Sequence, residues 1–100
     1  MNTVACKLVT IVAEDELEDR LLKDLDTLGA RGYTICKVRG KGIHRTRTSE
    51  WEGENILIET LVSEDVASTI MSRLEQAYFP HFGVTAFIVN VEVVRGPKYA

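Results

Sequence analysis

A strand-period run followed by a helix-period run, and then the same pair again after a long polar gap, is the feature that most constrains this chain. The segment Val4-Ala5-Cys6-Lys7-Leu8-Val9-Thr10-Ile11-Val12-Ala13 is rich in β-branched residues and stops at an acidic cluster suited to the first turn of a helix. From Asp15 onward Leu17, Leu21, Leu22, Leu25 and Leu28 recur at helical spacing, with Glu18, Asp19, Lys23 and Asp26 on the other side. Asp15 is placed to cap this helix, with Glu18 in the capping-box position three residues on. Gly29, free to take positive φ, ends it. Tyr33 to Arg39 alternates apolar and polar side chains, which predicts a second strand with one buried face and one wet face. Ile56 to Val62 predicts a third strand. Ser63 then begins a second helix whose Val66, Ile70, Met71, Leu74 and Ala77 share a face. Phe79-Pro80-His81-Phe82-Gly83 breaks that helix, Val84 to Val94 predicts a long and nearly all-apolar fourth strand, and Gly96-Pro97 ends it.

The order βαββαβ predicts an α+β, ferredoxin-like domain: a four-stranded antiparallel sheet with two helices on one face. With 100 residues, 45% of them hydrophobic, the chain has material for one core and is short for two, so 1–100 reads as a single domain. The N-terminus has no basic flank of a signal peptide and no run approaches membrane-spanning length, so a soluble, cytoplasmic protein is expected. Cys6 and Cys36 lie in strand segments without the close spacing of a zinc or redox pair, and both are expected to be buried, reduced thiols. Tyr78, Phe79 and Phe82 are expected to pack on the sheet or a neighbouring subunit, and His81 to be structural.

The net charge of -3 argues against nucleic acid as a partner, but the positive charge is concentrated. Lys37, Arg39, Lys41, Arg45 and Arg47 are five of the twelve basic residues, and no acid lies among them. They enter a polar stretch at about 40–55, long for so small a domain, and such loops carry function or mobility. In Arg39-Gly40-Lys41-Gly42-Ile43-His44-Arg45-Thr46-Arg47 the glycines allow close backbone approach, and amides beside cations form a cradle for an anion such as phosphate. The plain alternative is a solvated charged loop, because neither GxGxxG nor the full phosphate-loop signature is present. Trp51, between Glu50 and Glu52, is expected to contact a partner. No catalytic constellation or metal signature emerges, so neither an enzyme nor a metal site is expected, and the acidic residues read as solvated helix surface.

The wider block Leu28-Gly29-Ala30-Arg31-Gly32-Tyr33-Thr34-Ile35, running into Val38-Arg39-Gly40-Lys41-Gly42, closely resembles the PII signal-transduction family. In that family a helix ends in G-x-R-G, a strand begins with threonine, and G-x-G opens a long T-loop. Ile58-Glu59-Thr60-Leu61-Val62 is similar to the family's I-E-I-V-V strand, and Val91-Glu92-Val93-Val94-Arg95 extends the likeness. The resemblance implies a homotrimer with adenine nucleotides in the clefts between subunits and a T-loop that engages a partner. It implies that Thr34 and Leu61 lie near the adenine and that Gly40 and Gly42 shape the loop base. Glu59 would pair with a loop cation such as Arg45. Arg45 and Arg47 would meet phosphate or another oxyanion, and Lys41 counts with them as a nucleotide- or anion-binding candidate.

The departures matter equally. His44 replaces the glutamine of the family's magnesium and 2-oxoglutarate site, so it counts as an anion-site candidate and not a metal ligand. The loop has no tyrosine for uridylylation, and Gly83 is what remains of a glycine-rich phosphate loop. Arg95 is one residue off the family's terminal arginine. These features resemble PII-like proteins tied to inorganic-carbon uptake, partners of a bicarbonate transporter in the membrane or products of carboxysome gene clusters. Members of that group bind AMP, ADP, ATP or cyclic AMP, and some bind bicarbonate, a planar oxyanion suited to the arginine fork. The alternatives are a small-ligand or metal-binding trimer of the copper-tolerance type, and an enzyme of the acylphosphatase type.

Overall fold

A computed structural model describes residues 1–40 and 54–94 of the chain. Strand β1 spans Val4–Glu14, helix α1 Glu18–Leu28, strand β2 Thr34–Val38, strand β3 Asn55–Val62, helix α2 Glu64–Ala77 and strand β4 Thr85–Val93. The sheet order is β2-β3-β1-β4 and every pairing is antiparallel. The βαββαβ expectation is therefore met.

The alternation of strand side chains, fixed by the register, separates the sheet into two faces. Val9, Ile11 and Ala13 of β1 pair with Thr60, Ile58 and Ile56 of β3, and all six are buried. Leu21 and Leu25 of α1 and Ala67, Ile70 and Leu74 of α2 complete that core. Burying an aliphatic side chain of this size contributes roughly 1.5–3 kcal/mol. The opposite face carries Leu8, Thr10 and Val12 of β1 with Leu57, Glu59 and Leu61 of β3 and Phe87 and Val89 of β4. Among the described residues no helix covers it, and Phe87 and Val89 remain 48% and 43% exposed.

Gly29 ends α1 with φ at +105°, and the Ala30 amide donates back to the Leu25 carbonyl at 3.0 Å, as a left-handed C-terminal turn requires. Ser63 caps α2 through the Val66 amide. The start of the first helix differs from expectation. Asp15–Leu17 form a single 3-10 turn, α1 begins at Glu18, and no side chain caps it. The Asp15 carboxylate instead accepts from the Glu54 amide at 3.4 Å, because the β1–β3 ladder brings that amide alongside. Cys36 is exposed, whereas Cys6 is buried and both are free thiols. β2 is an edge strand that is short and uncovered on one face, so none of its residues is fully buried and the expected buried face reduces to Ile35 packing against the core.

Asp24 is not the plain solvated acid that its helix position predicts. Tyr78, fully buried at the end of α2, donates its hydroxyl to the Asp24 carboxylate at 2.6 Å, and Arg73 Nε donates to the same oxygen at 3.3 Å. The Arg20 guanidinium lies 4.5 Å from the centre of the Tyr78 ring and 5.6 Å from that of Phe82. This cluster pins α1 to α2. Burial, and then the hydrogen bond to Asp24, push the Tyr78 hydroxyl above its ordinary value of 10.0.

Tyr78→Phe removes the donor from a carboxylate and should lower stability by about 1–2 kcal/mol in urea denaturation. The raised Tyr78 value stabilises the fold while the hydroxyl is protonated in both states, below its ordinary value near 10.0, and that contribution is lost as the pH rises beyond it. The gap in stability between the native chain and Tyr78→Phe should therefore narrow above that pH.

Candidate functional site

The site begins with unequal strand lengths. β2 pairs with β3 from Val38↔Asn55 to Thr34↔Glu59 and then ends, while β3 continues through Thr60, Leu61 and Val62. The edge of β3 beyond Glu59 has no β2 ladder against it, and backbone groups on such an edge seek other partners. The turn that follows Gly29 borders the resulting notch. There Thr60 Oγ1 donates to the Gly32 carbonyl at 2.6 Å.

The notch is a cleft of about 430 Å³. Clefts that hold small ligands are commonly roughly 300–1,000 Å³. Leu8 and Leu61 supply apolar walls, and Tyr33 presents a ring that is 43% exposed. The polar residues around them are Thr34, Glu59 and Arg31, with Gly32 and Thr60 completing the lining. Apolar walls with a few polar groups and an open strand edge suit a flat heterocycle with hydrogen-bonding edges.

Of the residues singled out by sequence, Thr34, Glu59 and Leu61 are brought together on this cleft. Gly40 is not among the lining residues; it lies beyond the other end of β2, exposed, and an added Cβ would meet nothing within 4 Å. Gly83 precedes β4, and β4 lies three strand spacings from β2, roughly 14 Å across the sheet. One protomer therefore does not bring Gly83 to the cleft. Lys41, Gly42, His44, Arg45, Arg47, Trp51 and Arg95 lie outside the described residues, as does most of the T-loop assigned to about 40–55. Leu8, Arg31, Gly32, Tyr33 and Thr60 were not singled out. The parity that puts Leu8 opposite Leu61 was available from strand alternation, but which strand pairs with β1 was not. Among the described residues no three of His, Cys, Asp and Glu converge as metal ligands, and no helix is long and apolar enough to cross a membrane.

The family described as "Nitrogen regulatory protein P-II" matches residues 6–98. The chain belongs to the P-II family. A solved structure of a PII-like signalling protein from Thermus thermophilus is 54% identical, covers 100% of both chains and superposes with a TM-score of 0.87. CPII from Thiomonas intermedia, a protein solved with ADP, AMP and acetate, is 24% identical over 99% of this chain and 98% of its own, with a TM-score of 0.86. The same protein solved with ADP and bicarbonate gives 24% identity, the same coverage and a TM-score of 0.85. At that identity the likeness is one of fold. This P-II chain thus keeps the family's sheet and helices, and its cleft is built from the residues around Thr34 and Glu59.

The two glycines beside the cleft separate by backbone geometry. Gly29→Ala should cost roughly 1–3 kcal/mol, because φ is +105° there while the added methyl would sit at an ordinary 3.5 Å from Val66. Gly32→Ala, with no positive φ and no atom within 4 Å of the new Cβ, should stay within about 0.5 kcal/mol of the native stability in thermal denaturation.

Proposed function

We propose that this P-II chain is a non-enzymatic cytoplasmic regulator that binds an adenine nucleotide in the cleft at Thr34, Glu59 and Leu61. Candidate nucleotides are AMP, ADP, ATP and cyclic AMP, and bicarbonate is a second ligand. The observation that carries the reading is the convergence, on one notch beside an unladdered strand edge, of Thr34 and Leu61, which the family likeness assigns to the adenine, with Glu59, which it assigns to a loop cation. The exposed backbone edge of β3 offers hydrogen bonds to a purine edge, and the apolar walls offer contact to its faces. Lys41, Arg45 and Arg47 are assigned to the phosphates, with Gly40, Gly42 and His44 in the same turn. Bicarbonate takes the arginine fork, a planar donor set for a planar oxyanion.

The reading includes a homotrimer. The uncovered sheet face is apolar, and such a surface on a soluble protein belongs in an interface. Thr10 supports this. Its side chain is buried on that face, and its hydroxyl has no hydrogen-bond partner among the described residues, a state that costs free energy unless a neighbour completes it. In a head-to-tail ring the β4 edge of one subunit faces the β2 edge of the next, and Gly83 is assigned to the cleft of the neighbouring copy. Arg95 completes that subunit's contribution. Trp51 and the rest of the loop at about 40–55 then present the ligand state to a partner, a membrane transporter or a carboxysome component in inorganic-carbon uptake.

Calorimetry with ADP, with and without bicarbonate, tests the ligand. One ADP per protomer is expected, and replacing Arg45 and Arg47 together with alanine should weaken binding by at least about tenfold with the fold intact. Absence of heat with every adenine nucleotide at millimolar concentration would overturn the reading. Sedimentation should give a trimer for the native chain, and Phe87→Asp, which puts a carboxylate on the uncovered face, should shift it to monomer.

A further inference from the structure

We propose that Thr60 is a positioning residue that sets the orientation of the Gly32–Tyr33 peptide at the lip of the cleft, an inference that rests on the adenine-nucleotide reading. Thr60 points from β3 into the core, where it is 2% exposed, and its hydroxyl reaches across 28 residues of sequence to the Gly32 carbonyl at 2.6 Å.

Gly32 is where such a bond has the most effect. Its φ is not positive, and a Cβ there would meet nothing within 4 Å, so neither a left-handed turn nor close packing inside the protomer accounts for its backbone. A glycine is the residue least restrained by its own sterics, and a hydrogen bond from a buried, rotamer-limited threonine removes that freedom. The peptide is planar and trans, so holding the Gly32 carbonyl towards Thr60 turns the Tyr33 N–H the opposite way. Arg31, Tyr33 and Thr34, which line the cleft on either side of this peptide, are thereby ordered before a ligand arrives. A lip already in its bound arrangement costs less to order on binding.

Thr60→Val keeps the shape and removes the hydroxyl; Thr60→Ser keeps the hydroxyl. ADP calorimetry and amide hydrogen exchange of the ligand-free protein are measured on both and on the native chain. Thr60→Val should weaken ADP binding about tenfold and speed exchange of the Tyr33 amide by a similar factor, while the helix amides keep their protection. Thr60→Ser should restore both to within about threefold. Native-like ADP affinity in Thr60→Val overturns the proposal, as does unchanged exchange at Tyr33, a serine variant that behaves like valine, or a loss of protection spread over α1 and α2. If the native chain binds no adenine nucleotide, the ligand reading falls and with it the binding part of this inference. The exchange result then decides by itself whether Thr60 orders the turn.

Discussion

Strand β1 has to be hydrogen-bonded along both edges and apolar on both faces, and the rest of the molecule is arranged around that requirement. It pairs with β3 from Lys7 to Glu14 and with β4 from Val4 to Val12, so it lies inside the sheet and forces β2 and β4 to the edges. One face of β1, through Val9, Ile11 and Ala13, is satisfied by the two helices. The other, through Leu8, Thr10 and Val12, is covered by no helix among the described residues. The same central strand thus explains both the buried core of the domain and its uncovered apolar face. It also sets Gly83 and Thr34 at opposite edges of the sheet.

Much of this was legible in the sequence because it depends on local pattern. The β-branched run in β1, the leucine spacing of α1, Gly29 as a helix terminator and Ser63 as a cap each act within a few residues, and each appears in the structure, with α1 starting at Glu18, three residues later than its pattern. The family likeness located Thr34, Glu59 and Leu61 on the cleft. What was not legible depends on pairings far apart in sequence. Asp15 looked like a cap because the approach of Glu54 is set by the β1–β3 register, 39 residues away. Cys36 looked buried because an alternating strand does not reveal that it will be an edge. Asp24 looked solvated because its partner Tyr78 lies 54 residues on. The bond between Thr60 and Gly32 is hidden in the sequence for the same reason.

The cleft and the helix cluster illustrate two uses of long-range hydrogen bonds in one small domain. Tyr78, Asp24 and Arg73 join the helices and serve the fold, on the side of the sheet away from the uncovered face. Thr60 joins the core to a turn that lines the cleft and serves the site. The notch itself comes from nothing more than β2 being three residues shorter than β3, five against eight. A missing length of ladder leaves a strand edge open beside the notch, so the cleft follows from where a strand stops.

Whether an adenine nucleotide sits in this notch is decided by amide chemical-shift mapping by NMR during an ADP titration. The account predicts saturable shifts concentrated at residues 31–34 and 59–61, with the helix face around Arg20, Asp24 and Arg73 unmoved. Saturable shifts centred on that helix face, or none at the notch at millimolar ADP, would contradict it.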